Sequence, residues 1–565
     1  MFEGLRTSRL GCVAFLLACA AAPAARADDK PEVHRDVPFL QWVREDAAPP
    51  EDLDLSPRLS DERAGERWEV RDGRLWLAAA GDAPYAVLDL SEAPWPEVTA
   101  IAAAGGGAVR CGTERGAFLW DGSGCRYFAS RRWLPDDRVT GIAVREGRAW
   151  IATRGGTTSI LARPMTLAEK AAHFERTVRE RHVRFGLVSS CGLDRPGDLA
   201  SFRLHDSDND GLWTGMYVAA ESFRFAATGD PEARRFARES LEALFRLERI
   251  TGIPGFPARS FTRLGEHGGG EWHPTPDGEW EWKGDTSSDE IAGHLYAFHV
   301  YHELVATNEE KQEIAAVVGR ILGHILEHDL ALADLDGEPT TWGRWSKQHY
   351  GLAAWLFARG LQSLEILSHL AVARRMTGEE RFGAAYLELV RRGYARNVPS
   401  QKIEFPTAIN HSDDELAFLS FYPLLDVEKD PELLAIYRRA LERSWKVERP
   451  EGNALWNFIY AAGMGKRTGF DLASAILTLQ DQPLDLVEWG VENSHRNDVE
   501  VSPVLDRHRR IQGVRVLPPS ERPLHKHNGN PYQLDSGGGG RGEEAATFWL
   551  LPYWMGRHHG YIREP

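Results

Sequence analysis

From Met165 onward the chain keeps a helical period and alternates two kinds of helix, and this constrains its fold more than any other feature. One series is charged and amphipathic: about 167–184, 231–249, 309–328, 379–394, 431–447 and 469–480. The other is apolar and rich in small or aromatic residues: about 212–227, 288–305, 360–376, 413–425, 453–464 and 542–556. A helix apolar all round must be enclosed, and helices with a single apolar stripe can enclose it. Six of each in alternation predicts an inner ring within an outer one.

Link lengths carry the same message. Inner helices lead to the following outer ones through short links such as Thr228-Gly229-Asp230-Pro231, Thr377-Gly378 and Val427-Glu428-Lys429-Asp430. Links from outer to next inner helices are mostly long, at 250–286, 329–358, 395–411 and 481–540. Long links in a compact domain are usually functional, and these all reach the face bearing the N-termini of the inner helices. The expected fold class is therefore mainly α, an (α/α)6 toroid over 163–565 preceded by a small antiparallel β domain.

That β domain is expected at 65–162, where runs such as Arg74-Leu75-Trp76-Leu77 and Arg148-Ala149-Trp150-Ile151 sit between Gly and Asp. Val98-Thr99-Ala100-Ile101 recurs 41 residues later as Val139-Thr140-Gly141-Ile142. The stretch from Leu134 through Gly156 resembles the blade repeats of two-component-regulator propellers. It covers about two blades, and a closed propeller needs about four or more, so the resemblance implies a small β domain packed on something larger.

Residues 28–64, rich in Pro, Asp and Arg, read as a linker or tail. Residues 1–27 read as a secretory signal: Arg6 and Arg9, an apolar run from Leu10 to Ala22, and Ala25-Arg26-Ala27 as a cleavage site. The alternative is a lipoprotein, since Leu16-Leu17-Ala18-Cys19 is a loose lipobox whose Cys19 would carry a lipid anchor. Both place the mature protein in the periplasm or outside the cell, and no later run is apolar and long enough to span a membrane. A net charge of −16 without a basic stripe argues against nucleic acid as a partner. Cys111, Cys125 and Cys191 are too few to staple a domain of this size, although Cys111 and Cys125 could pair.

Three inner helices open on one acidic phrase: His205-Asp206-Ser207-Asp208-Asn209-Asp210-Gly211, Gly284-Asp285-Thr286-Ser287-Ser288-Asp289-Glu290, and Asn410-His411-Ser412-Asp413-Asp414-Glu415. Each sets carboxylates at a positively polarised helix N-terminus. Asp206, Asp208 and Asp210 with Gly211 match the first half of a calcium loop. The distal Glu is missing, its place being Tyr217. The alternative reading is an Asx-rich capping turn. In the other two phrases Glu290 and Glu415 are expected to serve capping boxes, leaving Asp285, Asp289, Asp413 and Asp414 for chemistry. In a crowded pocket one carboxyl is forced to hold a proton, which gives a general acid beside a general base. Glu544 at the last inner helix, His294 and His411 complete the catalytic candidates, each histidine having a satisfied polar role as its alternative. No His-x-x-x-His pair with a nearby acid stands among them, so a metal hydrolase is secondary.

The chain has 19 Trp, several in loops. Large aromatics there fit flat sugar faces or else roof a core. The binding candidates are Trp213, Trp282, Trp342, Arg344, Trp345 and Trp489, with His495 and His527 from the longest link. Ser536–Glu544, four glycines in a row at its centre, reads as a flexible lid; no strand precedes it and no Gly-Lys-Ser/Thr follows, which rejects a phosphate-binding loop.

On these features the chain resembles the (α/α)6-toroid carbohydrate-active enzymes, which include glycoside hydrolases, polysaccharide lyases and sugar epimerases, over about 165–560. The resemblance is one of fold and carries over no catalytic residue. It implies an oligo- or polysaccharide substrate and no organic cofactor, with calcium as the candidate ion. Paired carboxylates favour glycoside hydrolysis. A lyase or epimerase on the same fold is the alternative, as is a non-catalytic glycan-binding or sensor protein.

Overall fold

The computed structural model describes residues 31–79, 82–405, 409–523 and 525–564; the signal expected at 1–27, with Cys19, lies outside the described residues. Among the described residues, twelve helices of ten residues or more follow residue 166: α1 (Leu167–Arg181), α2 (Asp210–Thr228), α3 (Pro231–Ile250), α4 (Ser288–Leu304), α5 (Asn308–Glu327), α6 (Leu352–Thr377), α7 (Glu380–Arg391), α8 (His411–Val427), α9 (Pro431–Glu448), α10 (Ala454–Met464), α11 (Leu472–Asp481) and α12 (Thr547–His558). None is long and apolar enough to cross a membrane.

Local chemistry explains the short links. α2 ends on left-handed Gly229, and Asp230 then caps α3 by accepting from Glu232 N, with Pro231 in the first turn. Asp430 and Pro431 open α9 in the same way. Even-numbered helices are buried along most of their length, as α4 is from Glu290 to His302, whereas α3 buries a stripe. The even-numbered helices touch in sequence: α2 on α4, α4 on α6 and α8, α6 on α8, α8 on α10, α10 on α12, and α12 back on α2. α2 and α4 approach closely enough that a Cβ on Gly215 would lie 2.5 Å from Gly293 O. A larger residue at either position would force the two helices apart.

Ahead of α1 the strands from Phe39 onward form small antiparallel sheets. β1 (Phe39–Glu45) is followed by β2 (Ser60–Arg63), β3 (Glu66–Arg71), β4 (Arg74–Ala79) and β5 (Tyr85–Asp89). β6 (Val98–Gly105), β7 (Ala108–Thr113), β8 (Gly116–Trp120) and β9 (Cys125–Phe128) come next, then β10 (Val139–Arg145), β11 (Arg148–Thr153) and β12 (Gly156–Met165). They make three four-stranded sheets, β2-β3-β4-β5, β6-β7-β8-β9 and β10-β11-β12-β1. β6 packs on β2 and β3 on one side and on β10 on the other, so the 41-residue repeat is the offset between the first strands of two successive sheets. Trp68, Ile101 and Phe118 fill one seam, and Phe128, Ile142 and Ile160 the other.

The segment expected as a tail is therefore partly strand. β1 completes the third sheet by pairing with β12, Glu45 opposite Ser159 and Phe39 opposite Met165. It also seats the sheets on the helices. Buried Lys170 of α1 donates to Gln41 Oε1 at 2.7 Å and to Gln480 O at 2.9 Å. Cys111 and Cys125 are free thiols. They lie on β7 and β9 with β8 between, about 10 Å apart across two strand spacings, which is too far for a disulfide.

Two sequence expectations fail in the long links. The glycine-rich stretch is strand β21 (Ser536–Glu543), paired with β13 (Cys191–Leu193) and β20 (Val487–Val491), and α12 starts only after it. Glycine is required here because Trp489 lies across Gly197 and Gly540, where a Cβ would overlap its ring. α6 starts eight residues ahead of the expected 360, through an exposed first turn that has Leu352 and Phe357 at its surface.

Candidate active site

The starts of α2, α4 and α8 open on one cleft of about 810 Å³, lined by Asp208, Asn209, Asp289 and Asp413. Its walls are Arg259, Trp342, Tyr350, Phe357, Gln362, Gln401, Arg507 and His508. The long links supply most of these wall residues, and α6 supplies Phe357 and Gln362.

The three carboxylates differ in what meets them. Burial pulls Asp208 upward, but the Lys283 hydrogen bond at 2.6 Å and the Arg259 guanidinium at 3.0 Å outweigh it and hold the acid below its ordinary range. Asp289 is raised by burial against an opposing bond from Ser287. Asp413 is raised to about 6, first by burial and then by the charge of Asp414; Asn410 Nδ2, donating to it at 2.6 Å, opposes this. Asp289 also raises Asp413, so Asp413 feels the charge of Asp289 across the cleft. The arrangement puts Asp413, which keeps its proton to about pH 6, in one cleft with Asp208, which its cations hold below the ordinary carboxylate range.

Asp414, one residue on, does not face the cleft. It accepts from Lys402 Nζ at 2.7 Å and Gln401 Nε2 at 3.2 Å, and buried Lys402 also pairs with Glu448. This corrects its place among the catalytic candidates: a carboxylate consumed by a buried cation holds structure. Glu544 is buried and does not line the cleft; burial raises it to about 7, opposed by Lys526. His294 is fully buried in α4, its Nδ1 donating to Glu290 O at 2.6 Å. Burial lowers it to about 4, so it is a neutral core residue. His411 faces an adjoining cavity of about 370 Å³ that shares Asn410, Ser412, Arg507 and His508 with the cleft.

The calcium-loop geometry is not formed. Asp206 accepts from His267 Nε2 at 2.8 Å, Asp208 turns to Lys283 and Arg259, and Asp210 is buried against Arg184 at 2.9 Å and Ser207 Oγ at 2.6 Å. Three carboxylates with three separate partners do not surround one point. The capping boxes are corrected too. α4 and α8 begin after Ser287 and Asn410 without a side-chain cap bond, and both Glu290 oxygens lack a hydrogen-bond partner among the described residues.

Of the expected binding residues, Trp342 lies in the cleft and is 57% exposed. Trp282 is in the core, and Trp345 is buried with its Nε1 donating to Glu365 Oε2 at 2.9 Å. Arg344 spends its guanidinium on the carbonyls of Pro339, Thr340 and His349, holding its own loop. Trp489 is buried in its sheet, bonded to Asp485 at 2.9 Å. His495 packs against Trp95 on the β side, and buried His527 accepts from Asn453. Trp213 lines a small separate cavity beside Lys526. Arg259, Tyr350, Phe357, Arg507 and His508 were not legible as site residues. The signal available was their position in or beside the long links, and the links hold many other polar residues.

No protein family matches the chain, and no curated protein does. Among solved structures it is similar to a metagenome-derived glycoside hydrolase family 9 endoglucanase, at 12% identity and a TM-score of 0.37, over 80% of this chain and 99% of that one. A likeness that loose does not establish which residues correspond.

Proposed function

We propose that α1 to α12 form an (α/α)6 toroid and that the cleft on its rim hydrolyses a glycosidic bond in an oligo- or polysaccharide, in the periplasm or outside the cell after removal of residues 1–27. The observation that carries this reading is the meeting of Asp289 and Asp413 in one open cleft. Asp413, protonated to about pH 6, gives its proton to the leaving glycosidic oxygen as the C–O bond breaks. Asp289 faces the developing positive charge and takes the proton of the water whose oxygen joins the anomeric carbon. Asp208, tied to Lys283 and Arg259, and the exposed faces of Trp342 and Phe357 position the sugar rings.

Arg507, His508 and Tyr350 in the same cleft support a second reading, a lyase acting on a uronate. Burial raises the Tyr350 hydroxyl, which keeps the proton-accepting phenolate scarce at neutral pH and favours hydrolysis. The test is a panel of polysaccharides assayed for reducing ends and for unsaturated products. Asp413→Asn and Asp289→Asn should each cost about 10²-fold or more in kcat at unchanged melting temperature. Turnover indifferent to both substitutions would overturn the assignment, unsaturated products would select the lyase, and glycan binding without turnover of any substrate would select a non-catalytic receptor.

A further inference from the structure

Away from the cleft, three buried side chains from distant segments turn to one point: His182 just after α1, Cys191 of β13 and Glu543 of β21. His182 Nε2 lies 3.3 Å from Glu543 Oε2, and Cys191 Sγ lies 3.8 Å from the same oxygen. His182 Nδ1 is 3.0 Å from Ser189 O. A carbonyl only accepts, so Nδ1 carries the proton and Nε2 turns a lone pair into the cluster. That nitrogen has no hydrogen-bond partner among the described residues, and His182 is 0% exposed.

A buried lone pair facing a carboxylate is repulsive unless a positive charge lies between them. A second imidazole proton would supply one, with the Cys191 thiol then donating to Glu543 Oε2 at 3.8 Å; a metal ion would supply one that all three side chains share. The spacing fits a metal. Zinc bonds of about 2.0–2.1 Å to nitrogen, 2.0–2.2 Å to oxygen and 2.3 Å to sulfur, at tetrahedral angles, separate N from O by about 3.3 Å and S from O by about 3.5 Å. We propose that His182 Nε2, Cys191 Sγ and Glu543 Oε2 bind one zinc-type divalent cation. On binding, Cys191 forms the S–metal bond as its thiol proton leaves to solvent, with no redox change. The groups behind the ligands suit this role: Ser189 O orients the imidazole, and Arg181 Nε and Nη2 hold the carboxylate at 2.7 and 2.8 Å. Glu543 also borders a cavity of about 580 Å³. The ion would clasp α1 to a sheet whose β13 and β21 residues stand 352 apart in sequence, independently of any reaction in the cleft.

Full-length protein purified without chelator should carry about one zinc per chain by mass spectrometry. Cys191→Ser and His182→Gln should each lower the zinc content about tenfold or more while keeping the helical circular dichroism. Because either variant could misfold, stripped wild-type protein is also titrated with Co²⁺. A thiolate-to-cobalt charge-transfer band with strong tetrahedral d–d absorption, complete at one equivalent, supports the site. Wild-type protein that holds no zinc and gives no such band overturns it, as does zinc content undiminished in both variants.

Discussion

The starts of α2 and α8 carry nearly the same acidic string and reach opposite outcomes. At α2 each carboxylate meets a basic partner from another segment: His267 for Asp206, Lys283 and Arg259 for Asp208, Arg184 for Asp210. At α8 a single buried cation, Lys402, takes Asp414, and Asp413 is left with the Asn410 amide. A helix N-terminus places acids at a cleft, and the cations delivered by other links decide which of them stays available for proton transfer.

The largest expected effect tests that contrast directly. Asp413→Asn should cost about 10²–10⁴-fold in kcat/KM and Asp208→Asn much less; equal losses would break the distinction between the two helix starts. As the proposed general acid Asp413 would have to be protonated, so wild-type kcat/KM should fall as pH rises through about 6, a limb visible in a pH–rate profile. Next comes stability. Asp414→Ala should cost about 3 kcal/mol in denaturant unfolding, because it leaves buried Lys402 short of a partner, whereas Asp413→Ala should cost about 1 kcal/mol or less.

A smaller effect separates the helix starts by pH. Glu415 of α8 is raised by burial to about 8, above its unfolded value of about 4.5. The folded state therefore holds a proton that the unfolded chain releases, so this contribution is favourable below about pH 4.5 and is lost as pH rises towards 8. Glu415→Gln should flatten that slope, adding on the order of 3 to 4 kcal/mol at pH 8 relative to pH 5. Asp208 has the opposite sign. Its folded value is lowered, so its contribution is present at neutral pH and is lost on acidification through that value, and Asp208→Asn should make the melting temperature less sensitive to acid. The smallest effect is expected at the wall: Trp342→Ala should raise KM about fivefold with kcat nearly unchanged.

How far these features were legible depends on how local their causes are. The segment expected at 231–249 is Pro231–Ile250 and that at 309–328 is Asn308–Glu327, because periodicity and caps act within a few residues. β1 was hidden in the supposed tail because its partner β12 lies more than a hundred residues away. β21 read as a lid because glycines carry no strand pattern, and Trp489 supplies the reason for them only once β20 is in place. The three acidic phrases were visible as a group, yet Asp413 and Asp414 were indistinguishable: adjacent residues of one type differ only in which face of the helix they occupy and what arrives there.

The sequence by itself determined the succession of helices and the side on which the long links emerge, since periodicity and capping are short-range. Only the tertiary structure decided which carboxylates remain unneutralised, which tryptophans are walls and which are core, and that His182, Cys191 and Glu543 meet. Burial and charge pairing depend on neighbours that the chain brings in from far away, and no local pattern encodes them.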